Sequence, residues 1–117
     1  MKSNEELAQL WLEALGDVEK FREISTTDCR VWHSSDNLWV SIDTAIENVY
    51  KGGGLPPVYD TGYTVTEHGF LVQFSAELAG HKIHNTIIVK TENGLAVTAE
   101  EYIGLELDVA AVLLGQG

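Results

Sequence analysis

Apolar residues recur at helical spacing in the first fifteen positions of this 117-residue chain. They form a single stripe that fits one face of an α-helix, made of Leu7, Leu10, Trp11, Ala14 and Leu15. Ser3 and Glu6 stand three residues apart at its start, where each side chain can bond to the other's backbone N–H as a capping box. We expect Gly16 to end the helix, because glycine enters the left-handed conformation at little cost.

Two further helices and one strand are predicted in the first half of the chain. Asp17 can cap a short second helix, and Ser41 or Asp43 can cap a third. The apolar stripe of the third helix consists of Ile42, Ala45, Ile46, Val49 and Tyr50. Between these helices, residues 25–28 are predicted to be a loop, and residues 29–33 carry the β-branched and aromatic side chains typical of a strand.

After a run of three glycines the pattern changes from helical to alternating. One face of a strand is formed by Phe70, Val72, Phe74, Ala76 and Leu78. Strands are also predicted at residues 59–67, 82–91 and 95–103, and Asn93-Gly94 favours a tight hairpin between the last two. Residues 105–114 fit either a short helix or an extension of the last strand.

This order of elements predicts a single α+β domain over residues 1–117. A long antiparallel meander of this kind twists and curls. Packed on three helices from the N-terminal half, it would form a cone-like curved antiparallel sheet that encloses a pocket. Such a cavity is where a small-molecule ligand is expected to bind.

Composition narrows the range of partners. Seven Lys and Arg against 18 Asp and Glu give a formal net charge of −11, which repels nucleic-acid backbones and anionic lipid surfaces. We therefore expect no nucleic-acid partner and no membrane partner. The lone cysteine, Cys29, has no intrachain partner and suits a reducing cytoplasm, where we expect a buried filler rather than a reactive thiol.

The order of elements and four short segments resemble the nuclear transport factor 2-like superfamily and, within it, the SnoaL-like group. The segments are Leu15–Val18, Thr27–His33, Asp43–Ile46 and Glu100–Ile103. The chain is also similar to ketosteroid isomerases and limonene epoxide hydrolases, which share this cystatin-like fold. The resemblance implies a cone-shaped fold and a homodimer formed through the outer face of the sheet. It implies no single activity, because isomerases, cyclases, hydrolases and non-catalytic modules share the scaffold.

Two departures from the resemblance concern catalysis. Many SnoaL-like proteins have an acidic residue where this chain has Gly104, and a glycine cannot transfer a proton. Limonene epoxide hydrolases use an Asp–Arg–Asp set, for which Arg22 and Arg30, the only arginines, offer no obvious counterpart. Epoxide hydrolysis is therefore disfavoured.

Candidate acid/base groups lie on two predicted strands. His33 ends the first strand, and histidine is the side-chain type suited to act as a general base or acid near neutral pH. Alternation places Glu100 and Glu101 on opposite faces of the last strand, and the one that faces the cavity would have a pKa raised by apolar surroundings. Tyr102, Tyr63 or Tyr59 could supply a hydrogen-bond donor beside it, as in the ketosteroid isomerase pattern. The alternative is a solvated glutamate and a tyrosine that only packs in the core.

Aromatic and polar residues elsewhere are candidates for the lining of the pocket. The predicted lining residues are Trp32, Trp39, Tyr63, Phe74 and His84, although aromatic residues also serve as plain core. Either His84 or Asn85 must point towards the more apolar side of its strand, and alternation does not say which. His81 and His84 fall on opposite faces of that strand, so we expect no metal site, and we expect no cofactor.

Two functions remain open on the sequence alone. The first is a dimer that binds a small hydrophobic molecule and transforms it by acid/base chemistry, as an isomerase, cyclase or hydrolase. The second is a non-catalytic ligand-binding or dimerisation module of the same fold, which Gly104 favours.

Overall fold

The computed structural model describes residues 1–115 and has the α+β architecture predicted from the sequence, with one open sheet of six strands. The helices are α1 (Asn4–Ala14), α2 (Phe21–Ile24), α3 (Ile42–Lys51) and α4 (Val109–Leu113), with a 3₁₀ turn at Val18–Lys20 before α2. The strands are β1 (Ser25–His33), β2 (Leu38–Ser41), β3 (Tyr59–Thr66), β4 (Gly69–Leu78), β5 (His81–Glu92) and β6 (Leu95–Leu105).

The start of α1 agrees with the sequence prediction, whereas its end does not. Glu6 N donates to Ser3 Oγ at 3.1 Å and Ser3 N donates to Glu6 Oε1 at 3.3 Å, which completes the capping box. Gly16 does not take the left-handed conformation: its N–H donates to Glu13 O at 3.0 Å, as the chain tightens into 3₁₀ geometry. The Asp17 side chain makes no capping hydrogen bond, so the second helix begins as a 3₁₀ turn rather than at an Asp17 cap.

The sheet is mixed rather than wholly antiparallel. Its strand order is β2-β1-β6-β5-β4-β3, and all neighbouring pairs are antiparallel except β1 and β6, which are parallel. The chain leaves β1 through β2 and α3, starts again at the far edge with β3, and returns strand by strand. The last strand therefore arrives beside the first in the same direction.

Two strand boundaries near the N-terminal half differ from the sequence prediction. Residues 25–28, predicted to be a loop, instead begin β1, because Ser25 pairs with Ala96 of β6. Between Ser25 and Arg30 the register with β6 shifts, so the pairing is irregular there. Strand β2 was not predicted, since its four residues are too few to show alternation. It pairs antiparallel with the end of β1, after a turn at Asn37, which has a φ of 59°.

The second half of the sheet follows the predicted pattern closely. Asn93 and Gly94 have φ angles of 52° and 75°, which confirms the tight hairpin between β5 and β6. Beyond it, β6 continues to Leu105 and α4 follows, so the C-terminal segment contains both the strand extension and the short helix. Among the described residues, 1–115, no helix is long and apolar enough to cross a membrane.

The core lies between the inner face of the sheet and the helices. Trp11 of α1 packs edge-on against Phe21 and Phe70, with ring centroids 4.8 Å and 5.9 Å away. The inner face of β4 is buried from Phe70 to Ala76 at alternate positions, as predicted, while Leu78 is exposed. This packing fills the end of the sheet near α1 and leaves room towards the ends of β1 and β6.

Candidate functional site

The parallel pairing of β1 and β6 brings two ionisable side chains together. His33 is in register with Glu101, and its Nε2 lies 3.4 Å from Glu101 Oε1. The end of β1 is fixed further by Ser34, whose N–H donates to Glu101 O at 2.9 Å and whose Oγ accepts from Ile103 N at 2.9 Å. The backbone thus holds both side chains on one side of the sheet.

Glu101 points inward because it shares a face with buried Ala99. In β6, Ala96 and Ala99 are both buried although they are three residues apart, since the register with β5 shifts between Lys90 and Thr91. This bulge resets the alternation, and Glu101 follows Ala99 on the inner face. Alternation had left open which of Glu100 and Glu101 faces the cavity, and the structure selects Glu101.

Burial changes the acidity of Glu101. Its side chain is only 15% exposed, and desolvation raises its pKa above the ordinary value, while His33 and a hydrogen bond from Asn85 act in the opposite direction. Asn85 Nδ2 donates to Glu101 Oε2 at 3.2 Å. The Oδ1 atom of Asn85 is buried and has no hydrogen-bond partner among residues 1–115.

A small apolar cavity, which we call the inner recess, adjoins this pair. It has a volume of about 90 Å³. Its polar lining comes from His33 and Glu101, and its apolar lining comes from both layers of the fold: Trp11, Leu15, Val18, Phe21, Val31, Ile42, Ala45, Ile46, Val49, Leu55 and Ile87. The recess therefore places one buried carboxylate and one half-buried imidazole at the wall of an otherwise apolar space.

Four of the predicted site residues lie on the opposite, outer face of the sheet. Glu100 is paired with Trp32, and Trp32 is paired with Trp39. Trp32 and Glu100 each directly precede an inward-facing residue, His33 or Glu101, so their side chains point to the outer face. Tyr102 contacts Trp32 with ring centroids 5.1 Å apart, and its hydroxyl donates to Glu100 Oε2 at 3.2 Å. The structure therefore does not bring Glu100, Tyr102, Trp32 or Trp39 to the recess, because adjacent residues of a strand face opposite sides.

His84 also lies on the outer face, so Asn85 is the residue that points inward. The His84 ring sits between Ser75 Oγ, 2.8 Å from its Nδ1, and Glu106 Oε1, 3.1 Å from its Nε2. Gly104 is directly opposite His84 in the neighbouring strand. His84 is therefore not among the residues that line the inner recess.

The remaining two predicted lining residues are on the inner face but outside the recess. The Tyr63 hydroxyl donates to Glu5 Oε1 at 2.9 Å and accepts from Gln9 Nε2 at 3.2 Å, so it ties β3 to α1. Phe74 is buried beside Asn85, its partner in the adjacent strand. Both contribute to packing, and neither is among the residues that line the recess.

Sequence reasoning missed the contribution of the helices and of the segment after α3. The apolar pattern of the helices predicts only that Trp11 and Phe21 face inward. It does not distinguish a side chain that fills the core from one that lines a cavity, and both line the recess. Leu55, between the glycines and the prolines, carries no periodic signal at all. No group of three or more His, Cys, Asp or Glu side chains that could hold a metal ion occurs within residues 1–115.

Several solved structures are similar to this one. A nuclear transport factor 2-like protein of unknown function from Burkholderia xenovorans LB400 superposes with a TM-score of 0.69 at 15% identity, over 94% of this chain and 91% of its own. IdmH of Streptomyces antibioticus, proposed to be a polyketide cyclase, gives 0.67 at 13% identity over 98% of each chain. A Kribbella flavida protein proposed to be a ketosteroid isomerase gives 0.65 at 14% identity, over 90% of this chain and 80% of its own.

These identities are low, so the likeness concerns the fold. No family model and no curated protein matches the sequence. The fold resemblance predicted from the sequence is confirmed: the chain has the nuclear transport factor 2-like fold, which it shares with SnoaL-like cyclases and ketosteroid isomerase-like proteins.

Proposed function

We propose that this protein binds a small hydrophobic molecule in the inner recess and moves a proton on it with Glu101. The observation that carries the proposal is the contact between Glu101 and His33 at the wall of an apolar cavity. A carboxylate in apolar surroundings is poorly solvated, so it abstracts a proton more readily than one in water. The reaction class is acid/base chemistry of the kind that isomerases, cyclases and hydrolases use.

The neighbours of Glu101 fit a group that changes its protonation state. Asn85 Nδ2 donates to the ionised carboxylate, and rotation of the amide by half a turn would present Oδ1, which can accept from the protonated acid. His33 is 29% exposed, against 15% for Glu101. In this proposal Glu101 takes the proton from the ligand, and His33 exchanges it with solvent.

A non-catalytic binding module is the second candidate. The observation that favours it is the position of Tyr102, whose hydroxyl is bonded to Glu100 on the outer face. The hydrogen-bond donor that would stabilise a developing oxyanion is then missing from β6, and Gly104 supplies no acid. Binding in the recess without chemistry is consistent with this arrangement.

Ligand screening followed by hydrogen exchange tests the proposal. Thermal-shift measurements with steroids, polyketide-like phenols and terpenoids identify binders, because a ligand that binds the folded state raises the melting temperature. For any ketone that binds, exchange of the α-hydrogens in D₂O is followed by proton NMR. We expect Glu101→Gln to slow this exchange by about 100-fold or more, and Glu100→Gln, one residue away on the outer face, to leave it unchanged.

The outcomes separate the two candidates. Loss of exchange in Glu101→Gln alone supports proton transfer by Glu101. Binding without exchange in the wild type supports the non-catalytic module. Equal effects of both substitutions, or none, would contradict the assignment of Glu101.

We further propose that two copies associate through the outer face of the sheet, as the fold resemblance implies. This face exposes apolar side chains: Ile88 on β5 is 40% exposed and Tyr102 on β6 45%, both on central strands, and Trp39 on the edge strand β2 is 43% exposed. A second copy would cover them, and aromatic residues are enriched in the cores of protein–protein interfaces. Buried Cys29, which needs no oxidising partner, is consistent with a cytoplasmic location.

The dimer is tested by sedimentation or light scattering. Ile88→Lys places a charge in the proposed interface and should give a monomer. Val65→Lys is the matched control, because Val65 is 48% exposed on the inner side of the edge strand β3. A wild-type monomer, or equal behaviour of the two variants, would contradict the proposed interface.

A further inference from the structure

A second, larger cavity, which we call the outer cleft, adjoins the inner recess. Its volume is about 500 Å³, against about 90 Å³ for the recess. It lies between the turn after α1, the end of α3, and the segment that links α3 to β3. The residues that line it are Leu15, Gly16, Asp17, Val18, Val49, Tyr50, Gly54, Leu55, Pro56, Pro57 and Val58.

The two cavities share a wall made of side chains. Leu15, Val18, Val49 and Leu55 line both. Leu55 is 42% exposed and follows Gly53 and Gly54, whose φ angles of 86° and 100° are unfavourable for other residues. The partition can therefore be crossed by displacing side chains, without breaking a strand or a helix.

The volumes decide how a ligand can be distributed between the cavities. The recess, at about 90 Å³, is too small to enclose a drug-sized ligand. Sites for drug-sized ligands span about 300–1,000 Å³, which the outer cleft reaches and the recess does not. A drug-sized ligand that contacts Glu101 must then keep most of its body in the outer cleft.

The chemistry of the outer cleft restricts that body. The Tyr50 hydroxyl donates to Glu19 Oε1 at 2.9 Å, so the ring rather than a free hydroxyl is available to a ligand. The lining of the outer cleft contains one carboxylate, that of Asp17, and the whole chain has a net charge of −11. These negative charges disfavour an anionic ligand, so the part of the ligand in the outer cleft should be uncharged and apolar.

We propose that the ligand is an elongated, uncharged molecule with a single small oxygen-bearing group at one end. This proposal rests on the proposed function and specifies its substrate class. The oxygen-bearing group occupies the inner recess beside Glu101 and His33, and the apolar chain or ring system occupies the outer cleft beyond Leu55. A drug-sized ligand held wholly beside Glu101 would exceed the volume of the recess.

A series of 4-alkylphenols, from phenol to 4-hexylphenol, tests whether the ligand is divided between the inner recess and the outer cleft in this way. Burial of each added CH₂ should tighten binding about 4-fold, from about 0.8 kcal/mol per CH₂, as measured by calorimetric titration. Gly16→Phe places a ring in the outer cleft and should abolish this gain with chain length. A side chain is tolerated there, because a Cβ at Gly16 would lie 3.6 Å from Glu13 O, an ordinary contact distance.

Control variants separate this inference from the proposed function. Gly62→Phe makes the same change on β3, where a Cβ would have no atom within 4 Å. In this variant affinity should still rise with alkyl chain length. Glu101→Gln should weaken the binding of every member of the series by a similar factor, and affinity should again rise with chain length. If Gly16→Phe cannot be purified in folded form, Tyr50→Ala, which removes an exposed ring from the cleft, should reduce the gain instead.

The failures are distinguishable. If Gly16→Phe or Tyr50→Ala retains the full gain with chain length, the apolar body does not lie in the outer cleft, and the role of Glu101 is untouched. If affinity does not rise with chain length in the wild type, the two-part site is wrong. If Glu101→Gln binds the whole series as the wild type does, the oxygen-bearing group does not lie against Glu101. If the same variant leaves the α-hydrogen exchange of a bound ketone unchanged, the proposed function fails instead.

Discussion

His33 Nε2 lies 3.4 Å from Glu101 Oε1 although the two residues are 68 positions apart, and the parallel pairing of β1 with β6 causes this contact. In a parallel pair, residues in register face the same side of the sheet. Inward-facing Val31 and Ala99 precede His33 and Glu101 on the same two strands. The acid/base pair therefore lies on the same inner face as the core, at the point where the core ends and the inner recess begins.

The pH dependence of stability reports on Glu101. Its folded pKa is raised by desolvation above 4.5, so its contribution to stability is fully present below the unfolded pKa and is lost as pH rises through the folded pKa. The free energy of unfolding of the wild type should therefore fall relative to that of Glu101→Gln as pH rises from about 4.5, by about 1.4 kcal/mol per unit of pKa shift. Urea unfolding of both proteins at several pH values measures the difference. A difference that does not vary with pH would contradict a raised pKa of Glu101.

Gly69 should tolerate no side chain. A Cβ at this position would overlap the carbonyl oxygen of Val89 in the neighbouring strand, and backbone in the middle of a sheet cannot move aside. We expect Gly69→Ala to lower the free energy of unfolding by about 3 kcal/mol or more. Gly62→Ala is the control, since no atom lies within 4 Å of its Cβ position. Equal stability of the two variants in thermal and urea unfolding would refute the close approach of β4 to β5.

Tyr63 should contribute to stability and not to ligand binding. Its hydroxyl bonds to Glu5 and Gln9 of α1, outside the inner recess. Tyr63→Phe should lower the free energy of unfolding by about 1 kcal/mol, the usual effect of losing one or two exposed hydrogen bonds. The affinity for 4-alkylphenols should stay as in the wild type. A weaker affinity at unchanged stability would instead place Tyr63 in the ligand site.

The Cys29 thiol should be inert in the folded protein. It is fully buried, and desolvation raises its pKa to about 11, so little thiolate forms at neutral pH. Labelling with an aromatic disulfide reagent at pH 8 should be slow in buffer and fast in urea. The double variant Cys29→Ala and Asp28→Cys moves the thiol to an exposed neighbouring position and should react at once. Rapid labelling of the native protein would contradict the buried position of β1.

Local patterns in the sequence were sufficient for most elements and for the fold class. The capping box at Ser3 and Glu6, the α3 stripe, and the Asn93-Gly94 hairpin all depend on residues within a few positions of one another. Alternation also identified the two groups from which the inward carboxylate had to come. It failed at Leu38–Ser41, where the strand is too short for a pattern, and at residues 25–28, where a distant strand imposes extended backbone.

The assignment of faces depended on the tertiary structure. Trp32, Trp39 and His84 look like pocket residues by type, but each is adjacent in its strand to an inward-facing residue and therefore points outward. These neighbours are buried Val31, half-buried Val40 and buried Asn85. Which residues face inward is set by strand partners and by the bulge in β6, which no local pattern encodes. The sequence by itself thus determined which chemical groups the protein has and which elements carry them. Only the assembled sheet decided that Glu101 meets His33, because register between distant strands is fixed when the whole core packs at once.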